Sequence, residues 1–469
     1  MTICRTSNPI SRLLRRGHRA SGTLLALALT LGLAAPVAAA EPEPEDADLD
    51  ALDLEALDLE TPDLEETDAG ALDLDALGLE AQPAARSSAT DRPWKLFAEA
   101  AVGSGRQRGG LGTRSLHRLT LDGRYQATWG NATRAVMSAR LDSTGPADLF
   151  VDNPVLSVRE AYLGWQFDEG QYQLDAGRIN LRLGPAYGYN PTDFFRDNAL
   201  RTITTVDPFT LRENRLGVVM LKGQRLWEGG SITVALAPKL ESSRSTESIS
   251  FDWGATNARS RGQVSLATRW SEAVSSQLIV YKEADSDARV GVNATALLSD
   301  SLVAHGEWSR SREAAVLARV AAAVPATEDA NRAALGLTYT TTGRLSLTAE
   351  WQHNGFAVDR GQWQQALAGN PSFAGAYFLQ AQALQDNAAR EAWLLYLVQR
   401  DFLTENLELT MLLKDNRTDR SRLLWLDLRH RWTRVELALQ LQHNQGAAAS
   451  EFGIVPFRTS VGLVGTAYF

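Results

Sequence analysis

The feature that most restricts how this chain can fold is an alternation of polar and apolar side chains that recurs from Trp94 onward. Polar residues at even positions alternate with apolar or small residues over 118–127, and the same pattern is seen over 345–352 and 435–442. A period of two is typical of a β-strand whose two faces meet different surroundings. Each stretch covers about 10 to 13 residues, which is long for a soluble strand and suited to crossing a bilayer at a tilt.

No helical route through a membrane competes with this pattern. Beyond the N-terminal region the sequence contains no run of about 20 apolar residues, which a membrane-spanning helix would need. A barrel strand buries only alternate side chains, so its hydropathy signal is weak. The sequence therefore predicts an all-β fold, a transmembrane antiparallel up-and-down β-barrel; a soluble β-sandwich is the alternative.

Short and long connections alternate along the chain. Short ones fall near 130, 169, 228, 272, 300, 342, 404 and 433, and longer ones fall near 105–114, 143–155, 183–212, 241–260, 312–331, 355–390 and 445–457, with short exceptions near 285 and 417. Short turns at one edge and longer loops at the other are typical of outer-membrane barrels. Counting the segments predicts about 18 strands, with 16 as the alternative, and an even number places both chain ends in the periplasm.

Aromatic residues mark most of the strand ends that precede the short turns; the strand that ends near Leu298 lacks one, and the strand near 339 has its Tyr a few residues early. The aromatic residues are Trp129, Phe167, Trp227, Trp270, Phe402, Trp432 and Phe469. An amphipathic ring is stable at the level of the lipid headgroups, so this repetition predicts an interfacial girdle.

The N-terminal region differs from the rest in composition. Residues 1–40 combine a basic part, an apolar part from about Leu24 to Val37 and the end Ala38-Ala39-Ala40, which together predict a secretory signal peptide. Residues 41–85 contain 17 acidic and no basic side chains in a degenerate five-residue repeat. A five-residue step spreads the leucines around a helix axis, so 41–92 is predicted to be a disordered periplasmic arm. Binding of cations or docking onto a basic periplasmic partner are the alternatives for the arm.

Charge and cysteine content restrict the chemistry of the remaining body, 93–469. Subtracting the +5 of residues 1–40 and the −17 of residues 41–85 from the net charge of −9 leaves +3 for residues 86–469. The one cysteine, Cys4, lies in the predicted signal peptide, and the six histidines are scattered without metal-ligand spacing. We therefore expect no metal, no cofactor, no nucleic-acid partner and no enzymatic activity; a barrel hydrolase using a pair such as Ser275 and His305 is the alternative.

The segment 177–215 is the most unusual part of the body because it is rich in arginine around the turn Asn190-Pro191-Thr192-Asp193. It is too long for a simple hairpin end. It could fold into the lumen and present cations to an anionic solute, or form a surface lid whose arginines pair with nearby carboxylates. The candidates for a constriction are Arg178, Arg182, Asp193, Arg196, Arg201, Arg212 and Arg215.

Alternation also predicts which charged side chains face the lumen, since a charge on the lipid face costs roughly a few kcal/mol near the bilayer midplane. These candidates are Arg118, Arg124, Arg134, Arg140, Glu160, Asp427, Arg429 and Glu436. Arginines in a lumen can favour anions through the local field. The alternative is that such ladders of charge neutralise one another.

The stretch 361–390 is rich in Gln and Ala and carries Trp363, Phe373, Tyr377 and Phe378. It is expected to form a short amphipathic helix in an outer loop. Aromatic and amide side chains together suit contact with carbohydrate, and a loop that packs on itself is the alternative.

The last strand resembles the terminal strand of bacterial outer-membrane barrels, in which the final Phe is recognised by the barrel-assembly machinery. The residues that carry this resemblance are Val461, Leu463, Tyr468 and Phe469. Further motifs are Gly-Arg-Ile-Asn at 177–180, Tyr-Asn-Pro-Thr-Asp-Phe-Phe at 189–195, Leu-Arg-Glu-Asn-Arg-Leu-Gly at 211–217 and the end 450–469. Together they resemble proteobacterial outer-membrane barrel proteins, broadly similar to alginate-export-type porins.

The resemblance implies an arginine-lined pore for an anionic polymer, with Arg178, Arg196, Arg201 and Arg215 the nearest match in kind. We therefore expect a channel in the outer membrane of a Gram-negative bacterium that passes solutes or an anionic polymer such as a polysaccharide, with a preference for anions. Its expected partners are outer-membrane lipid and the barrel-assembly machinery. The alternative is a non-conducting barrel that anchors an envelope assembly or export complex through the acidic arm.

Overall fold

The structure is a computed structural model that describes residues 92–469 except for 131, 147–152, 242–246, 248, 322–324 and 371. The predicted signal peptide and nearly all of the acidic arm lie outside the described residues. None of the helices in the described part is long and apolar enough to cross a membrane.

Eighteen strands make up most of the described chain. The first nine are β1 (Trp94–Gln107), β2 (Thr113–Trp129), β3 (Thr133–Gly145), β4 (Val155–Phe167), β5 (Tyr172–Ile179), β6 (Val218–Trp227), β7 (Gly230–Ala237), β8 (Arg261–Arg269) and β9 (Val274–Glu283). The others are β10 (Arg289–Ser299), β11 (Leu302–Ala314), β12 (Thr327–Thr340), β13 (Leu345–Asn354), β14 (Glu391–Gln399), β15 (Leu407–Asn416), β16 (Ser421–Arg431), β17 (Val435–Gln445) and β18 (Phe457–Tyr468). Four α-helices lie in the described loops, namely α1 (Pro208–Glu213), α2 (Val316–Ala321), α3 (Arg360–Gly369) and α4 (Phe373–Ala383).

The strands form one closed antiparallel sheet. Each strand pairs with its neighbours in the sequence, and β1 also pairs with β18, which leaves no free edge. The predicted up-and-down barrel of about 18 strands is therefore confirmed. Because the number of strands is even, β1 begins and β18 ends at the same edge of the sheet, which is also the edge of the short turns.

The two faces of the sheet differ as the alternation predicts. On β2, Leu119 and Leu121 are exposed on the outer face, whereas Thr120 and Asp122 are buried on the inner face. The same division is seen around the barrel, where exposed Leu, Val and Ile side chains form an outer belt. This arrangement suits a wall with hydrocarbon outside and water within.

Aromatic side chains ring the outer face at the short-turn edge. Six of the seven predicted girdle residues are exposed there, namely Trp129, Phe167, Trp227, Trp270, Trp432 and Phe469. Phe402 is half-buried in the turn between β14 and β15. Trp94 at the start of β1, which the pattern did not single out, is also exposed at this edge.

The last strand presents an apolar outer face. Val461, Leu463 and Phe469 are exposed on it. Tyr468 belongs to the opposite face, where its ring lies 5.8 Å from that of Phe97 on β1. These are the positions of the residues that suggested recognition by an assembly machinery, which stays a prediction.

Two glycines face each other where the barrel closes. Gly103 on β1 is paired with Gly462 on β18. A Cβ atom on Gly103 would collide with the carbonyl oxygen of Val461 and the Cα of Gly462, which are backbone atoms and cannot swing aside. The closing pair of strands therefore depends on a missing side chain.

We expect Gly103→Ala to weaken the closure by roughly 1–3 kcal/mol, because the added methyl group would force the two strands apart. The measurement is the temperature at which the folded barrel loses its compact migration in SDS gels. Gly123→Ala is the matched control, since its Cβ would meet only a Leu96 methyl group at 3.7 Å. Equal transition temperatures for the two variants would contradict this account.

Candidate functional site

The connection between β5 and β6, residues 180–217, folds into the lumen. Phe194 and Phe195 from this loop pack against Tyr281 on β9. Their ring centroids lie 5.2 and 5.4 Å, respectively, from that of Tyr281. Tyr187 stacks on His305 of β11 at 5.5 Å. We call residues 180–217 the lumenal loop. Its contacts reach strands that lie several positions around the wall from β5 and β6, so it narrows the barrel from within.

An apolar patch on the inner wall holds one side of the lumenal loop. Leu183, Phe194 and Phe195 of the loop cluster with inward side chains of the wall. The wall members of the cluster are Ile179, Val218, Met220, Ala235, Ala237, Ile279 and Tyr281. Apolar residues inside the barrel depart from the polar lining that alternation predicts, and the loop shields them from water.

Two carboxylates of the wall hold the tip of the lumenal loop. Glu307 on β11 accepts hydrogen bonds from the Ala186 amide at 2.8 Å, from Asn190 Nδ2 at 3.0 Å and from the amide and hydroxyl of Thr192 at 3.2 and 2.7 Å. Glu350 on β13 accepts from the amides of Tyr187 and Gly188 at 2.6 and 3.1 Å. Neither carboxylate has an Arg or Lys partner among its described ion pairs, so backbone N–H groups of the loop compensate the buried charges.

A third carboxylate links the lumenal loop to the β13–β14 loop that carries α3 and α4. Asp386 accepts hydrogen bonds from the Tyr189 hydroxyl at 2.5 Å, from Arg196 at 3.0 Å and from Arg332 of β12 at 3.0 Å. Burial alone would raise the pKa of Asp386, but the Arg332 and Arg196 guanidinium groups hold it below its ordinary value. A depressed pKa in the folded state means that the contact stabilises the loop above the ordinary aspartate pKa and is lost only as the pH falls through the lower value.

The second half of the lumenal loop crosses the lumen as a chord. Its Thr204 carbonyl accepts a hydrogen bond from Arg118 on β2 at 2.5 Å. Asp207 accepts one from the Tyr396 hydroxyl on β14 at 3.1 Å. Asp207 also caps α1 by accepting from the Thr210 amide at 2.9 Å, with Pro208 as the first helical residue. The chord therefore joins two parts of the wall and leaves the sector of β15–β18 and β1 on its other side.

The structure uses most of the candidate constriction residues to hold loops. Arg178 is fully buried and donates to the carbonyls of Val158 and Phe251 at 2.9 and 3.0 Å, and to that of Asp252. Arg201 donates to the carbonyls of Leu156, Glu247 and Ser250, and Arg212 donates to those of Leu183 and Gly184. Arg215 pairs with Asp193 and Arg196 pairs with Asp386, whereas Arg182 is exposed. Arg178 lies on the outward-facing side of β5 under the β7–β8 loop, so it does not line the lumen.

The candidate lumen-facing residues lie on inner faces and form ion pairs. The pairs are Arg118–Glu99 at 2.6 Å, Arg124–Glu160 at 3.3 Å, Arg134–Asp175 at 3.0 Å, Arg140–Asp142 at 3.0 Å, Arg429–Asp427 at 3.1 Å and Arg429–Glu436 at 2.8 Å. Each of these arginines thus has a carboxylate beside it. The geometry supports the alternative in which the charges of the wall largely neutralise one another.

Two further expectations concern the outer loops and catalysis. The stretch 361–390 contains two helices, α3 and α4, rather than one, and the rings of Trp363, Tyr377 and Phe378 pack on one another within 5.5 Å. Their aromatic surface is therefore used in packing. The Ser275 hydroxyl is hydrogen-bonded to Thr295 at 2.7 Å, and His305 lies 3.4 Å from Glu350. These two bonds do not join Ser275 to His305.

Sequence reasoning missed the three carboxylates that anchor the lumenal loop. Glu307 and Glu350 each sit at an inward position of an alternating strand, and nothing local distinguishes them from other polar residues. Asp386 follows a helix in a different loop. The sequence carried one signal, because Val218 to Leu221 are apolar at four consecutive positions. Both faces of β6 are therefore apolar there, so part of the inner wall must be covered.

This geometry defines a closed, 18-stranded up-and-down barrel with a loop across its lumen. The fold is similar to that of Acinetobacter baumannii OccAB1, with a TM-score of 0.52 and 12% identity over 80% of this chain and 96% of that one. Pseudomonas aeruginosa OccK5 (OpdH) also matches, with a TM-score of 0.48 and 10% identity over 80% of this chain and 98% of that one. No family model and no curated protein matches the sequence. The resemblance predicted from the sequence is thus confirmed at the level of the fold.

We expect Glu307→Gln to release the tip of the lumenal loop, because four hydrogen bonds lose a charged acceptor. Bonds to charged groups contribute about 1.5–3 kcal/mol each, so a loss of about 2 kcal/mol would raise the population of displaced loops roughly 30-fold. Limited trypsin digestion of the folded barrel, read by mass spectrometry, should then show cleavage after Arg196 and Arg201. Glu328→Gln, an exposed residue of β12, is the control, and equal cleavage in both variants would refute the anchoring role.

We expect Asp386→Asn to loosen the same loop from its other side, at a cost on the order of 3 kcal/mol, since Arg196 would remain buried without its carboxylate. Hydrogen exchange followed by mass spectrometry should become faster in the peptide 186–197. Asp415→Asn is the matched control, because Asp415 pairs with two half-exposed arginines at the barrel rim. Unchanged exchange in Asp386→Asn would show that Asp386 does not hold the lumenal loop.

Proposed function

We propose that this protein is a channel for passive passage of small polar solutes across the outer membrane of a Gram-negative bacterium. The observation that carries the proposal is the sector beside the chord, where inward-facing polar side chains keep part of their surface exposed to water. These side chains are Glu99, Arg118, Glu436, Gln440 and Gln442. A barrel that served only as an anchor would have no need for a hydrated lining. The closed sheet, its apolar belt and the aromatic girdle support the membrane location.

The balance of charge beside the chord determines which solutes the channel favours. The arginine excess of the sequence suggested anions, yet Arg118 pairs with Glu99 and Arg429 pairs with both Asp427 and Glu436. Paired charges leave a weak net field at a distance. We therefore propose a modest anion preference at most, and passage of an anionic polymer only as a single extended chain threaded past the lumenal loop.

The direct test is the conductance of purified protein in planar bilayers. We expect stepwise current increments that persist when residues 41–85 are deleted, since the lumen lining described above is formed by strands of the barrel and by the lumenal loop. Absence of conductance and of solute flux in liposomes would overturn the channel. A periplasmic partner bound by the full chain and lost on deletion of 41–85, together with no conductance, would favour the anchoring alternative.

We expect Glu99→Gln to shift the channel toward anions by unpairing Arg118 beside the chord. One unit charge within about 4 Å of an ion contributes about 1 kcal/mol in water, so the ratio of anion to cation permeability should rise roughly two- to five-fold. The measurement is the reversal potential in a KCl gradient. Glu328→Gln serves again as the control, and an unchanged reversal potential in Glu99→Gln would place the conducting path elsewhere.

A further inference from the structure

Two arginines at the barrel seam have no partner in the described structure. Arg106, near the end of β1, and Arg458, at the start of β18, are both exposed, and their guanidinium groups make no hydrogen bond or ion pair with a described residue. The wall arginines of the lumen, by contrast, each pair with a carboxylate. Two free guanidinium groups on neighbouring strands are therefore available to a ligand.

Their position on the strands places them above the apolar belt. Arg106 shares the outer face of β1 with Val102, which is 59% exposed, and lies four residues further toward the long-loop edge. At about 3.3 Å per residue this is about 13 Å along the strand. Arg458 is the extra residue of a bulge that faces Arg106 and Gln107. This height corresponds to lipid headgroups when Val102 contacts acyl chains.

The turn between β1 and β2 lies beside the two arginines. Arg108 donates to the carbonyls of Asn444, Phe452 and Val455 at 2.5, 2.7 and 3.1 Å, which ties this turn to the β17–β18 loop. The turn is rich in glycine, and with Arg106 and Arg458 it lines a cavity of about 280 Å³. This is close to the lower end of the roughly 300–1,000 Å³ range of ligand pockets.

The electrostatics of this cavity favour an anion. Its lining residues are Arg106, Gln107, Arg108, Gly109, Gly110, Gly112 and Arg458, and none of them is acidic. Burial and the nearby charge of Arg458 lower the pKa of Arg108. Like charges are thus held together without a counterion from the lining, an arrangement that a bound anion would stabilise.

We propose that Arg106 and Arg458 form a binding site for the phosphate group of an anionic glycolipid in the outer leaflet of the membrane. The planar guanidinium groups bind phosphate oxygens in pairs of hydrogen bonds, and the outward-facing apolar residues below them contact the acyl chains. The site lies at the long-loop edge of the β1–β18 pair. It therefore adds a lipid-binding function to the proposed channel. It rests on the membrane location but not on conductance.

The experiment is native mass spectrometry of the detergent-solubilised barrel with diphosphorylated lipid A as the probe. Phosphatidylcholine and inorganic phosphate are separate arms that test for a zwitterionic headgroup and for a free anion. The test variant is Arg106→Gln with Arg458→Gln. The control is Arg310→Gln, which removes an exposed arginine of β11 that stands without a second free arginine beside it. Compact migration in SDS gels verifies that all three proteins are folded.

We expect one lipid A to remain bound to the wild type and to Arg310→Gln. The double variant should bind lipid A about ten-fold or more weakly, because each cation near a charged headgroup raises the binding affinity by a factor on the order of ten or less. Phosphatidylcholine should not be retained. Equal lipid A binding by the double variant and the wild type would overturn the proposal. So would binding of inorganic phosphate without retention of lipid A, because the site would then recognise a free anion only.

Discussion

The structure depends on the need of every backbone N–H and C=O group in a hydrocarbon layer to find a partner within the protein. A sheet can meet this need only by closing, and here it closes between β1 and β18. The pair of glycines between β1 and β18 leaves room for the backbones of the first and last strands to lie side by side. All other features, from the outer belt to the lumenal loop, are arranged on this ring.

Closure creates an interior that is wider than its own side chains can fill, and the lumenal loop occupies part of it. The loop has little regular structure, so its backbone groups need partners from elsewhere. Glu307 and Glu350 supply acceptors from the wall, and an apolar patch around Ile279 supplies packing. The wall and the loop are therefore complementary parts of one core, and partly exposed polar side chains are left on β17, β1 and β2.

The barrel could be predicted from the sequence because the period of two is local and repeats in every strand. The division of Leu119 and Thr120 between two faces, the girdle at Trp129 and the count of strands all follow from it. The roles of the arginines could not be predicted, because each depends on contacts far along the chain. Arg178 differs from a lumen residue only in its register on β5, and Arg196 finds its partner Asp386 in another loop.

The contacts of Asp386 connect two loops that are far apart in the sequence. The β13–β14 loop that carries α3 and α4 also carries Asp386. The Asp386 carboxylate pairs with Arg196 of the lumenal loop and with Arg332 of β12. A displacement of α3 and α4 would therefore be passed through Asp386 to the lumenal loop. The position of the lumenal loop is thus coupled to that of two helices in a different loop.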